Sequence, residues 1–330
     1  MDPVPKTVVQ LGEEGLLRRI EERLARVAGV PKIVGDDTAV LEAPGDALLL
    51  TTDMLVESVD FNLAYCSGRD IGWKAVAVNA SDIAAMGGTP LHAVVALGLP
   101  RDTSIDLFDG LLEGLIEACG RWSITLAGGD LSEARELSVS VSMTGTARAP
   151  VMRSGAEPGH LLWVTGTLGG AAAGLRALMD DNLDRDGAAK AAVERQLRPV
   201  ARVAEGRAAA QLGASAMIDL SDGLAIDLAR LMEAGGTGCR IDPAAIPVDR
   251  AVLPLVERDE EAFDLAVSGG EDFELLFTAP AERAAAIRRG LAGVGAGATE
   301  IGTVGDGGCF IGDQPLDRWK EGSWEHLRSR

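Results

Sequence analysis

Short apolar runs alternate with alanine- and leucine-rich stretches of helical period along the whole of this 330-residue chain. Apolar residues at i, i+3 and i+4 make a helix with one buried stripe, whereas a short apolar run bounded by Gly, Pro or Asp makes a strand. A chain that mixes the two throughout is confined to the α/β (α+β) class. The spacing of Leu16, Leu17, Ile20, Leu24 and Val27 predicts a helix over Gly12 to Val27. Strands are predicted at Thr38 to Leu41 and at Ala47 to Thr52, the latter ending on Thr51-Thr52-Asp53. A helix follows over Asp70 to Met86, a strand over His92 to Leu99 and a helix over Ser104 to Cys119. Ser123 to Ala127 reads as a strand that runs into Gly128-Gly129-Asp130, and Leu137 to Thr146 alternates as a strand with one wet face does.

Arg148 to Gly159 contains Pro and Gly and has no period, which places the expected boundary between domains 1–150 and 151–330. Beyond it, strands are expected at His160 to Thr165, Ala216 to Asp219, Phe273 to Phe277 and near Glu300 and Cys309. Helices are expected over Gly169 to Met179, Val200 to Leu212 and Ala281 to Arg289. Ser221 is expected to cap a further helix over Asp222 to Met232. Ser81-Asp82 and Ser221-Asp222 sit in similar local sequences, which leaves open either duplicated halves or chance likeness of Ala-rich helices.

Composition excludes several classes. With 47% hydrophobic and 25% charged residues the chain can bury a core, so global disorder is excluded. No apolar run reaches the ~20 residues of a membrane span, and Met1 to Gly12 has no secretory pattern, so cytoplasmic residence is expected. A net charge of −19 makes the chain a poor match for nucleic acid. Cys66, Cys119, Cys239 and Cys309 are scattered and form no recognisable zinc or disulfide framework. There is no phosphate-binding G-x-x-x-x-G-K-[ST] and no G-x-S-x-G, and Gly293-x-Gly295-x-x-Ala298 follows a helical segment where a dinucleotide site needs a strand. His92, His160 and His326 lack metal-ligand spacing.

What remains is a series of aspartates on turns and at expected strand ends. They are Asp36 and Asp37 in Gly-Asp-Asp, Asp53 after two threonines, and Asp82 in Asn-x-Ser-Asp. Asp130 follows two glycines, and Asp219 and Asp222 share Asp-Leu-Ser-Asp-Gly. Singly, each also suits a turn or a helix cap. Together, carboxylates flanked by hydroxyls and glycines suit Mg²⁺, a hard cation that takes oxygen ligands and leaves room for phosphate oxygens. Gathered without counter-charge, such carboxylates would repel one another, so several ions are expected at one site.

In order along the chain, Gly35-Asp36-Asp37-Thr38-Ala39-Val40-Leu41, Thr51-Thr52-Asp53-Met54-Leu55-Val56-Glu57 and Ala75-Val76-Ala77-Val78-Asn79-Ala80-Ser81-Asp82-Ile83-Ala84-Ala85-Met86-Gly87 precede Gly128-Gly129-Asp130. Arg153-Ser154-Gly155-Ala156, Ile218-Asp219-Leu220-Ser221-Asp222-Gly223-Leu224 and Ser268-Gly269-Gly270-Glu271-Asp272-Phe273-Glu274-Leu275 follow. This ordered set closely resembles the thiamine-monophosphate kinase family. The resemblance implies a two-domain fold like that of aminoimidazole ribonucleotide synthetase, with an N-terminal α/β domain that forms a homodimer and a C-terminal α/β domain that closes the site. It implies transfer of the γ-phosphoryl group of ATP, the co-substrate, to thiamine monophosphate with several Mg²⁺ ions. It assigns metal positions to Asp37, Thr51, Thr52, Asp53, Asp82, Asp130, Asp219 and Asp222, and nucleotide contacts to Gly129, Asp130, Arg153 and Ser221. Substrate contacts fall on Glu271 and Trp324, and on Asp60, where many members carry His. The acceptor phosphate is already ionised, so no general base is expected, and Arg153 is the expected stabiliser of phosphate charge. Selenophosphate synthetases, which share the fold, use an N-terminal Cys or selenocysteine; the first Cys here is Cys66.

Overall fold

The computed structural model describes residues 38–41, 45–180, 187, 189–295 and 297–320. The expected helix over Gly12 to Val27, Asp36, Asp37 and Trp324 lie outside the described residues.

Two sheets carry the molecule. The first has strands β1 (Ala39–Leu41), β2 (Ala47–Val56), β3 (Thr89–Leu99), β4 (Thr125–Glu133) and β5 (Ser138–Ala147) in the order β1-β2-β5-β3-β4. Helices α1 (Gly68–Ala85) and α2 (Ile105–Trp122) cover one of its faces. Ser67 starts α1 with a capping box, its hydroxyl accepting from the Asp70 amide while the Asp70 carboxylate accepts from the Ser67 amide. Ser104 caps α2 with its hydroxyl alone, accepting from Leu107 N at 3.2 Å. The two helices touch backbone to backbone, because a Cβ on Gly72 would stand 2.2 Å from the Leu111 carbonyl oxygen and one on Gly114 2.1 Å from that of Arg69.

The second sheet contains β6 (Leu161–Thr165), β7 (Ala216–Asp219), β8 (Gly238–Ile241), β9 (Leu275–Ala279), β10 (Ala298–Gly305), β11 (Cys309–Ile311) and β12 (Gln314–Pro315), in the order β12-β11-β8-β10-β6-β9-β7. Its helices are α3 (Gly170–Met179), α4 (Lys190–Leu197), α5 (Val203–Leu212), α6 (Leu224–Gly235), α7 (Asp259–Ser268), α8 (Ala284–Leu291) and α9 (Asp317–Lys320). Trp163 and Phe277 stack at 6.3 Å inside it, in a cluster that also takes in Ala84, Ala85 and Val151. Helix α1 is therefore buried on nearly every side, against the first sheet on one flank and against α5 and β7 on the other. None of the described helices is long and apolar enough to cross a membrane.

The α/β class expected from the sequence is the one observed, with three local corrections. Thr51-Thr52-Asp53 does not end a strand, because β2 runs on to Val56 through an unbroken register with β5. Gly128-Gly129-Asp130 also lies within a strand, where β4 pairs in parallel with β3. Ser221 is not an N-cap: α6 begins at Leu224, and the Asp227 carboxylate reaches back from the first turn to accept from the amides of Asp222 and Gly223. The Asp227 carboxylate supplies the capping that Ser221 was expected to give.

Candidate active site

Helix α1 touches both sheets at once, one on each flank. Asn79 Oδ1 accepts from the Asp53 amide at 3.1 Å, and Asn79 Nδ2 donates to the Ala75 carbonyl at 2.9 Å. The hydroxyl of Thr51 donates to the carboxylate of Asp82. On the opposite flank Ser81 Oγ donates to Asp219 Oδ2 at 2.6 Å, at the end of β7. Period 2 on β2 sends Thr51 and Asp53 toward α1, and period 3.6 on α1 brings Asp82 beside them. Three carboxylates far apart in sequence thus meet around one helix.

They line a cavity of about 570 Å³ together with Asp60, Asp222 and Glu271, and among the described residues no basic side chain lines it. The rest of the lining mixes apolar Leu55, Phe61, Leu175, Met179 and Phe273 with polar Ser58, Asn62, Gln196 and Ser221. Arg230 forms an ion pair with Asp222 from behind and contacts Asp227 Oδ1 at 3.0 Å. Burial, helped by the Asp222 charge, pushes the Asp227 carboxyl up to about 7. Asp60 Oδ2 accepts from the Val56 amide at 2.8 Å, which anchors the turn after β2.

The segment Gly269 to Leu275 splits its acidic residues three ways. Glu271 has φ +67 and faces the cavity, where Lys74 Nζ stands 2.5 Å from Oε1 and Gln196 donates to Oε2. Asp272 turns to the start of α3 and accepts from the amides of Gly169 and Ala171 at 2.6 and 3.1 Å; burial nonetheless pushes its carboxyl up to about 7. Glu274 is fully buried and accepts from Thr165 and from the Arg202 guanidinium. Burial raises the Glu274 carboxyl, against the pull of Arg202.

The structure brings Thr51, Asp53, Asp60, Asp82, Asp219, Ser221, Asp222 and Glu271 to this cavity or its wall. Thr52 points the other way, donating to the Val141 carbonyl at 3.0 Å. The register Asp53↔Val141↔Val95↔Gly129 puts Gly129 three strands from Asp53, and Asp130 faces outward in the next row, beside Ala96. Arg153 stands close enough to Asp227 and Arg230 to act on both charges, outside the cavity lining. Lys74, Gln196 and Arg230 were not foreseen. Lys74 alone had a signal, a lysine inside an otherwise small and apolar helix. A larger cavity of about 670 Å³, lined in part by Arg121, Arg195, Arg202 and Arg207, holds none of the expected residues.

Residues 35–147 match the family described as AIR synthase related protein, N-terminal domain, and residues 157–312 match its C-terminal domain. The thiamine-monophosphate kinase of Aquifex aeolicus (strain VF5) is 34% identical over 320 residues, covering 96% of this chain and 99% of that protein. The chain belongs to the thiamine-monophosphate kinase family. The Escherichia coli (strain K12) member is 38% identical over 312 residues, covering 92% of this chain and 94% of its own. The solved structure of AaThiL complexed with AMPPCP and TMP superposes with a TM-score of 0.86 at 32% identity, covering 98% of this chain and all of that one. The cavity takes its lining from both matched segments, Asp53 to Asp82 from the first and Ala172 to Phe273 from the second.

Proposed function

We propose that this chain transfers the γ-phosphoryl group of ATP to thiamine monophosphate, giving thiamine diphosphate and ADP. One observation carries the reading: a single cavity is lined both by carboxylates, among them Asp53, Asp82, Asp219 and Asp222, and by apolar side chains, among them Leu55, Phe61 and Leu175. Two phosphorylated reactants need the first, and an organic ring system needs the second.

The carboxylates offer oxygen donors only, which suits Mg²⁺. Asp53, Asp82, Asp219 and Asp222, with Asp37 and Thr51, are the residues assigned to hold it, whereas Thr52 faces the other side of the sheet. Bound Mg²⁺ would offset the negative charge of the phosphate oxygens and so let the two reactants approach. The chain's own part is to position. Asn79 fixes the backbone at Asp53, Thr51 orients Asp82, and Ser81 orients Asp219. The acceptor phosphate is its own nucleophile, so no side chain is assigned as a base. Arg153 and Ser221 are assigned to the nucleotide phosphates, and Asp60, Glu271 and Trp324 to the acceptor.

Gly129 and Asp130 stand about 14 Å from Asp53 if adjacent strands are ~4.8 Å apart. We therefore assign them to a site shared between two copies of the chain. The outer face of the first sheet supports a homodimer, because among the described residues no helix covers it and Leu50 and Val94 are exposed there. The domain roles follow: 1–150 for metal, nucleotide and dimer contacts, 151–330 for closing the cavity.

Incubation with ATP, Mg²⁺ and thiamine monophosphate, followed by chromatography, tests the reading. Thiamine diphosphate and ADP are expected in equal amounts, with none of either from free thiamine. ADP without thiamine diphosphate refutes the proposal.

A further inference from the structure

Glu271 lines the cavity and is paired with a buried lysine, Lys74. The Glu271 backbone sits at φ +67, a region that a residue with a Cβ occupies only when its surroundings hold it there. Three contacts hold it. The Glu271 amide donates to the Ser221 carbonyl at 2.7 Å, Gln196 Nε2 donates to Oε2, and Lys74 Nζ meets Oε1 at 2.5 Å. The Lys74 side chain is 6% exposed and that of Glu271 30% exposed. The ammonium therefore lies behind the wall, while the carboxylate keeps a face toward the cavity.

A buried ammonium is costly to desolvate, and replacing such a pair by apolar groups is often neutral for folding. A lysine kept at this point has its use at the surface it supports. The cavity lining carries five aspartates besides Glu271. Their summed field disfavours a further carboxylate, and a cation fixed at one of its oxygens opposes that field locally. Lys74 meets Oε1 from behind the wall and Gln196, itself in the lining, donates to Oε2, and each carboxylate oxygen keeps a further lone pair that can accept. Glu271 is thus presented to the cavity as a fixed acceptor.

We propose that Lys74 is a positioning residue: it aims the Glu271 carboxylate to accept from the exocyclic amino group of the aminopyrimidine ring of the acceptor. This rests on the reaction proposed above. With the acceptor phosphate at the aspartates, the aminopyrimidine is the end of thiamine monophosphate farthest from it. It is also the end that carries an N–H donor. Lys74 acts through Glu271 and touches neither phosphate nor metal position.

The test compares the wild type with Lys74→Met, Lys74→Gln, Glu271→Gln and the Lys74→Met/Glu271→Gln double variant. Two acceptors are used: thiamine monophosphate, and a thiazole phosphate that lacks the aminopyrimidine ring. A wild type that makes no thiamine diphosphate refutes the reaction, and this inference with it; every other outcome bears on Lys74 alone. In Lys74→Met, KM for thiamine monophosphate is expected to rise about tenfold or more, with kcat changed by about twofold at most and KM for ATP unchanged. Lys74→Gln, which keeps a donor, falls between the two. The double variant is no worse than Glu271→Gln, because the two residues act as one unit. The thiazole phosphate is turned over equally by wild type and Lys74→Met. A wild-type KM in Lys74→Met overturns the inference. An equal penalty on both acceptors, or additive losses in the double variant, overturns it as well. Circular dichroism and the unchanged KM for ATP separate either result from loss of the fold.

Discussion

The two sheets are built for opposite surroundings. In the first, β5 alternates buried and half-buried residues along its whole length, and β2 exposes Leu50, Thr52 and Met54 while burying Leu49, Thr51 and Leu55. In the second, every residue of β7 and of β9 is buried. Among the described residues, one sheet is a wall with helices on a single side, and the other is enclosed on both faces at β7 and β9. The cavity lies where the open wall meets the closed one, so its aspartates combine solvent access with rigid backbone. An enclosed sheet alone would have to pair or neutralise such carboxylates, as Glu274 is paired with Arg202. The open sheet can leave them facing a groove.

The largest effect that tests this contrast is on turnover. Asp53→Ala, at the open sheet, and Asp219→Ala, at the end of the enclosed one, are each expected to lower kcat by about 10³-fold or more. Assays at saturating ATP and Mg²⁺ check this, and the melting temperature of Asp53→Ala should stay near that of the wild type. Next is stability in the enclosed sheet. Phe277→Ala removes a fully buried ring stacked on Trp163 and is expected to cost about 3–5 kcal/mol in denaturant unfolding. On the bare face the same measurement should move little. Leu50→Asp with Val94→Asp is expected to change stability by about 1 kcal/mol or less while converting a dimer to a monomer by light scattering.

The smallest effect is a slope. Asp272 is held up at about 7 in the folded chain, whereas an unfolded Asp titrates near ~3.9. Between those values the unfolded chain has released a proton that the folded one keeps, so this residue makes stability fall as pH rises from about 4 to about 7. Urea unfolding across that range should show a less negative slope for Asp272→Asn than for the wild type.

The open sheet was the more legible of the two. Alternation in Leu137 to Thr146 marks a strand with one wet face, and β5 is such a strand. The enclosed half was read less fully. Helix α4 is short and polar, and α7 opens with Asp259, Glu260 and Glu261, so neither offers a long apolar stripe, and both were missed. Strand β8 is short and contains Gly238 and Arg240, a poor match to any strand pattern. Within the site, the aspartates could be picked out because small or hydroxylated neighbours flank nearly all of them. Their supports could not. Lys74 meets Glu271 and Arg230 meets Asp222 through contacts that depend on how α1 and α6 pack, and nothing in the local sequence encodes those meetings. The outward turn of Thr52 follows from strand period alone once β2 is known to continue past it.

Lys74 and Ser81 lie seven positions apart on α1, about 10 Å along its axis at 1.5 Å per residue, and each ties the helix to the second half of the chain. Trp73 also donates to the Pro199 carbonyl, and Asp70 pairs with Arg198, so the second half of the chain grips α1 from its first turn to its last. Asp82, Asp219 and Glu271 are all referenced to that one rod, and displacing one half against the other must break several of these ties together.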